Sequence, residues 1–277
     1  MDLRIVLLLF ISHFLGDFVF QSKNILMLRA CRSTAKNIKG NIIHSFAHFL
    51  LMITILSAAR SINLIILINY IRILELAALI ALVHFFIDEL KSYLIKMRPS
   101  FEISILLFLF DQLLHLGAIV IIALNIMNNN INVLKLYGQT IGFTDRCLIS
   151  IIIFLLCTFF SGIFIKKFIA YINFNKYRKL VDKGFYIFGR TMEQKGGIAN
   201  GGFIIGVLER IFIMIVIAIG EPSMVGFALT AKSIARFKKL DDSSFAEYFL
   251  IGTFISFISA IAGGIVISTL NVLPVIK

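Results

Sequence analysis

The sequence predicts an all-α, polytopic integral membrane helix bundle of about seven spans, with a range of six to eight. Three observations lead there. Hydrophobic residues make up 59% of the 277 residues and charged ones only 15%, and the mean hydropathy is +0.96, far outside the range of soluble domains. Apolar runs of about 20 residues recur along nearly the whole chain, each long enough to cross a ~30 Å hydrocarbon core as a helix. These runs are unbroken Ile, Leu and Phe without the alternation of barrel strands, so the backbone must satisfy itself within helices.

In chain order, the spans fall near residues 4–21, 41–59, 72–91, 101–126, 146–165, 199–220 and 245–269. The first run has the length of a signal peptide. It contains His13 and Asp17 and lacks a small-residue cleavage site, so it is expected to stay in the mature protein. Residues 62–71 are apolar and read either as an interfacial segment or as an early extension of the third span. Residues 224–239 hold a short apolar run interrupted by Lys232 and Arg236, too short and too charged for a span, which leaves an interfacial or re-entrant course. The one substantial polar stretch, 166–197, predicts a basic interfacial helix. The domain reading is therefore 1–130 for a four-helix bundle, 131–197 for an outer loop, fifth span and basic segment, and 198–277 for a C-terminal helical unit.

Most of the 27 Lys and Arg residues lie in alternate loops: after the first span, after the third, in 166–197, and at Lys232, Arg236, Lys238 and Lys239. By the positive-inside rule that face is cytoplasmic, which puts the N-terminus outside. The Asn-rich loop at 128–132 and Asp145 then lie on the outer side. The formal charge of +12 is accounted for by these inner-leaflet clusters and does not call for a nucleic acid. Cys31, Cys147 and Cys157 have no paired spacing and imply neither a disulfide framework nor a cysteine metal site.

Four pairs of metal-type side chains lie one helical turn apart: His13 with Asp17, His44 with His48, His84 with Asp88, and Asp111 with His115. They use all five histidines of the chain. Spacing of i, i+4 puts both members on one helix face, and ionisable groups inside a membrane are costly unless they serve a function. The order within the pairs reverses with helix direction, so all four fall in the inner half of the membrane. The registration predicts a shallow layer of Asp17, His44, Asp88 and Asp111 and a deep layer of His13, His48, His84 and His115.

Imidazole and carboxylate donors suit a divalent transition metal such as zinc, manganese or iron. The ligand candidates are the five histidines with Asp17, Asp88 and Asp111. So many ligands leave room for one ion with outer carboxylates orienting imidazoles, or for two ions. One of the same aspartates is the candidate general base. Gln21, Lys91 and Gln112 lie within a turn of the pairs as candidate substrate-binding groups, Lys91 for an anionic group such as phosphate. Further along, Gly196, Gly197, Gly201, Gly202 and Gly206 give two Gly-x-x-x-Gly spacings, read as close helix packing in preference to an anion cradle. Glu209 and Arg210 near mid-membrane read as a buried pair, with Lys232 or Arg236 as a further partner for Glu209.

At His13, Asp17-Phe18 and Gln21, at His84, Asp88 and Lys91, and at Asp111-Gln112 and His115, the chain resembles a bacterial multi-pass membrane family, domain of unknown function 3307. The resemblance extends to residues 206–210, 231–237 and 247–253. It implies a bacterial inner-membrane protein but brings no activity with it. The paired His and Asp spacing is also similar in style to bacterial intramembrane metal-dependent hydrolases.

Three functional classes follow. The first is a metal-dependent hydrolase acting at the inner leaflet on an amphipathic substrate such as a lipid phosphoester, with membrane lipids as its surroundings. The second is a transporter or channel for a metal ion or protons, since His and Asp chains also relay protons. The third is a structural or partner-binding membrane subunit using Glu209, Lys232 and Arg236.

Overall fold

Long apolar segments with no water to bond to must close their own hydrogen bonds, and every described element is a helix; no strand occurs among the described residues. The structure is a computed structural model and describes residues 3–31, 33–66, 68–98, 104–127, 141–172, 201–241 and 243–273. The expected outer loop at 128–132, the basic stretch beyond residue 172, Gly196 and Gly197 lie outside them.

The helices are α1 (Leu3–Val19), α2 (Lys23–Arg29), α3 (Thr34–Ser61), α4 (Tyr70–Met97), α5 (Ile105–Ile126), α6 (Phe143–Ile172), α7 (Gly201–Ala218), α8 (Met224–Arg236) and α9 (Ser243–Thr269). Three of the starts are set by polar side chains that accept an orphan backbone N–H. Asn69 accepts from the Arg72 amide at 2.8 Å, Ser104 from Leu107 at 3.2 Å and Ser22 from Ile25 at 3.3 Å, each contributing about 1 kcal/mol. Two helices contain a π-turn, α1 at Leu15–Val19 and α6 at Leu156–Phe160.

Among the described residues six helices are long and apolar enough to cross a membrane, and α1 with α2 forms a seventh, broken candidate bent by 86°. Phe46, Phe86, Phe110 and Leu113 are each more than half exposed. A surface of that kind suits lipid and not water. The fold is an all-α polytopic membrane bundle.

The sequence-based boundaries hold for most spans, with two differences. α3 begins at Thr34, two turns before the expected start at 41. Its polar first turns are helical because Asn37 and Asn41 are buried and bonded to neighbouring helices. Residues 62–66, 68 and 69 are not helical. Arg60 donates to the Ile66 carbonyl at 2.7 Å, and Ile65 and Ile68 tuck inward, so this apolar run is a folded loop and α4 starts at Tyr70. α8 is a 13-residue helix with no buried residue, too short to span at 1.5 Å per residue.

The chain divides into two compact units. The first holds α1 to α5 and α6 up to Leu148; the second holds α6 from Ile149 and α7 to α9. In the first, Ile5, Leu9, Met52, Leu56, Leu76 and Ile119 are almost fully enclosed. Between helices in lipid such packing gains from dispersion and fit, because the tails are as apolar as leucine. Away from the histidines, Arg4 at the start of α1 pairs with Asp145 at 2.7 Å and donates to the Leu64 carbonyl at 3.2 Å.

In the second unit Ile213, Met214, Ala218, Phe257, Ala260 and Ile267 form the core. The glycines that permit close approach there are not the expected ones. A Cβ at Gly202 would meet nothing, and one at Gly206 would meet only the Arg210 guanidinium of its own helix. The tight positions are Gly162 against Phe203 and Arg210, Gly263 against Cys157, and Gly264 against Ile217.

Glu209 and Arg210 do not pair with each other. Successive residues on a helix point about 100° apart. Glu209 pairs with Lys232 of α8 at 2.5 Å. Arg210 donates to the Thr158 carbonyl, in the π-turn of α6, at 2.7 and 3.0 Å and to the Ser256 hydroxyl at 3.0 Å. Arg236 has no ion-pair partner among the described residues.

Candidate functional site

Four helices of the first unit bring the paired residues to one place. α1 supplies His13 and, from its π-turn, Asp17; α3 supplies His44 and His48; α4 supplies His84 and Asp88; α5 supplies Asp111 and His115. All five histidines, Asp88 and Asp111 are buried, none more than 3% exposed. A π-turn inserts an extra residue into a helix and often marks a functional position, and here it carries the carboxylate on which the cluster turns.

Asp17 is that hub. Its Oδ1 accepts from His44 Nε2 at 3.0 Å and His48 Nε2 at 3.1 Å, and lies 3.5 Å from His84 Nε2. Its Oδ2 accepts from Gln112 Nε2 at 3.0 Å and lies 3.7 Å from His13 Nε2. Asp17 therefore sits among the imidazoles instead of in a separate outer layer. The rings pack around it: His48 to His84 at 4.0 Å, His84 to His115 at 4.1 Å, His44 to His48 at 4.6 Å and His13 to His115 at 5.1 Å between centroids. The backbone makes room for them at Gly16, where a Cβ would run into the His48 ring.

His84 occupies the middle. Its Nε2 faces Asp17 and its Nδ1 faces Asp88 Oδ2, each at 3.5 Å, and neither nitrogen has a hydrogen-bond partner. Three more buried atoms are in the same condition: Asp88 Oδ2, Asp111 Oδ1 and His115 Nε2. A buried polar atom without a partner costs about 1–3 kcal/mol, and native interiors seldom leave several together. These atoms are also metal donors. Three overlapping groups hold their ligand atoms within 4.8 Å of one another: His13, Asp17, His48 and His84; His44, His84 and Asp88; and Asp88, Asp111 and His115. The donor chemistry and the convergence both fit a divalent transition metal.

The remaining residues singled out in the sequence take defined places. Lys91 donates to Asp111 Oδ2 at 2.5 Å. Gln112 donates to Asp17 and, at 3.2 Å, to Asp111 Oδ2, and its carbonyl oxygen faces His13 Nε2 at 3.3 Å. With its amide turned to match its neighbours, Gln21 donates to the Asp17 carbonyl at 3.3 Å and accepts from Arg29. Gln112 thus holds two carboxylates in position, and Gln21 the backbone of the π-turn and the Arg29 cation. Glu209, Arg210, Lys232 and Arg236 belong to the second unit and are no part of this cluster.

Arg29 is the residue that sequence reasoning did not single out. The bend after α1 lays the seven-residue α2 on α3, where Gly40 permits contact: a Cβ there would stand 2.7 Å from the Arg29 amide. The Arg29 guanidinium then reaches Asp88 Oδ1 at 2.6 Å and donates to Asn41 at 2.8 Å. Behind it Asn41 donates to Glu89 at 2.8 Å and Ser92 at 3.2 Å, and Lys96 donates to Asn37 at 3.1 Å. A signal was present. Asn37 and Asn41 continue the face of His44 and His48 at helical spacing, as Ser92 and Lys96 continue that of His84 and Asp88.

Residues 5–144 match the family described as Protein of unknown function (DUF3307). The chain belongs to this family. The matched region holds every His and Asp of the cluster and Arg29, and it ends before the C-terminal residues 206–210, 231–237 and 247–253 over which the resemblance was expected to continue. No curated protein and no solved structure matches the chain.

Proposed function

We propose that the first unit is a metal-dependent hydrolase centre, facing the cytoplasmic side of a bacterial inner membrane and acting on an amphipathic phosphoester such as a lipid headgroup. One observation carries the reading. His84, enclosed by the other four imidazoles and two carboxylates, makes no hydrogen bond at either ring nitrogen in a site where three further donor atoms also lack one. A packing histidine would have found a partner; a ligand awaits one.

In this reading His13, His48 and His84 with Asp17 hold a zinc, manganese or iron ion, and His44 and Gln112 orient the Asp17 carboxylate. When bound, such an ion supplies Lewis acidity and makes water a usable nucleophile near neutral pH. The general base falls to Asp88 or Asp111, each of which keeps one carboxylate oxygen without a hydrogen bond while a cation holds the other. Asp17 has both oxygens engaged and serves as ligand. Substrate would enter from the membrane interface, its headgroup at the polar end and its tails against the apolar helix faces.

Elemental analysis of the full chain purified in detergent tests the reading. It predicts about one equivalent of a single transition metal, falling at least tenfold in His84→Ala, as expected when a buried ligand is removed. The purified protein should release a phosphate-containing headgroup from lipid, and metal chelation should abolish that release. Less than about 0.2 equivalents of any metal after metal loading would end the proposal. Metal flux into liposomes that vanishes in His48→Ala, without any hydrolysis, would reassign the centre to transport.

A further inference from the structure

Resting on that reading, we infer that Arg29 and Lys91 form an anion clamp for a phosphate oxyanion, preferentially a singly charged phosphodiester, and that metal binding releases the clamp to its ligand. Asp88 and Asp111 are each shared between two claims. Arg29 holds Asp88 Oδ1 and Lys91 holds Asp111 Oδ2, while the second oxygen of each carboxylate is buried and makes no hydrogen bond. Those second oxygens face the imidazoles: Asp88 Oδ2 lies 3.5 Å from His84 Nδ1 and Asp111 Oδ1 lies 3.6 Å from His115 Nε2. A divalent ion held by the imidazoles would attract both carboxylates and weaken their hold on the two cations. The side chains of Arg29 and Lys91 are 15% and 25% exposed, against 2–3% for the imidazoles, so they stand on the accessible side of the cluster.

The charge count selects the ligand. With a divalent ion held by neutral imidazoles, the carboxylates of Asp17, Asp88 and Asp111 stand against Arg29, Lys91 and the ion, which leaves one positive charge. Charge in a poorly hydrated interior has to be matched, and a monoanion matches it, whereas a dianion overshoots. Arg offers a planar fork suited to two phosphate oxygens and Lys a point charge beside it. Each is bonded to one of the two carboxylates proposed as general base, beside which a scissile phosphoester has to lie.

Binding of ion and anion must then be coupled, and coupling is reciprocal. The test is the dissociation constant of Mn2+, read from the spin-resonance signal of the free ion, for the full chain in detergent. Three conditions are compared: Mn2+ alone, with inorganic phosphate, and with short-chain phosphatidylglycerol. In the parent protein the phosphodiester lipid is expected to tighten Mn2+ binding by about tenfold, and inorganic phosphate by less. Arg29→Gln and Lys91→Gln should each bind Mn2+ alone as tightly as the parent or more so, because a competing cation is gone, yet lose the gain from the anion. Arg29→Lys and Lys91→Arg keep the charge and should keep part of the gain.

A gain from either anion supports the clamp, and the larger one assigns the ligand to lipid or to free phosphate. An unaltered gain in both Gln variants overturns the clamp. So does a parent that binds Mn2+ with no anion effect, which leaves the metal centre standing. A parent that binds no Mn2+ in any condition overturns the clamp and the metal centre together.

Discussion

The two units treat buried charge in opposite ways. In the second, Arg210 is 3% exposed, yet its donors reach the Thr158 carbonyl and the Ser256 hydroxyl, and Glu209 has Lys232. In the first, six ionisable groups converge with Asp17 around His84, and His84, Asp88, Asp111 and His115 each retain a buried atom without a hydrogen bond. Satisfied polar networks fix a unique arrangement of helices; unsatisfied ones carry a cost that only a ligand removes. The contrast assigns a structural task to the charges of α7 and a binding task to those of α1, α3, α4 and α5.

The largest expected effect tests the unsatisfied half. His84→Leu replaces an unpartnered imidazole by an apolar side chain of similar size. Metal affinity should fall by about 100-fold or more, equivalent to roughly 2.7 kcal/mol. The metal-free protein, in contrast, should unfold at the same temperature or higher, because removing a buried polar group that lacks a partner is not destabilising. Thermal unfolding with and without metal reads both signs. A metal-free variant that melts well below the parent would show that His84 is part of the packing.

The next effect tests the satisfied half and carries the reverse signature. Arg210→Met strips the donors from Thr158 and Ser256 and should destabilise the second unit by about 2–3 kcal/mol. Metal content of the folded fraction should not change. Proteolytic cleavage within 201–273 that is no faster than in the parent would mean that Arg210 does not hold α6, α7 and α9 together.

What was legible in the sequence follows the same division. The four i, i+4 pairs stood out because helical spacing is local and a charge in an apolar run is conspicuous. Their convergence followed from helix direction alone. The bundle and most of its span boundaries were legible from the apolar runs. Arg29 looked like one more inner-leaflet cation, because its role depends on an 86° bend and on a glycine contact with α3. The π-turn at Asp17 arises from packing and leaves no mark in residue spacing. Glu209 and Arg210 are adjacent in sequence and so suggested a pair, although adjacency on a helix points side chains apart. Tertiary contacts decided each of these.

The smallest effect compares one glycine from each unit. At Gly16 in the π-turn of α1 an added methyl would strike the His48 ring, so Gly16→Ala must push that imidazole away from Asp17 or open α1 from α3. Outer rearrangements of this size cost about tenfold in metal affinity, and overpacking adds roughly 1 kcal/mol or more to the stability loss. At Gly202 of α7 the same methyl meets open space. Gly202→Ala should therefore leave metal binding unchanged and gain up to about 0.5–1 kcal/mol from the reduced freedom of the unfolded chain. Metal titration and thermal unfolding of both variants separate the cases. Equal responses would mean that the His48 ring has room to move, and the close fit of α1 on the imidazole cluster would then have no functional weight.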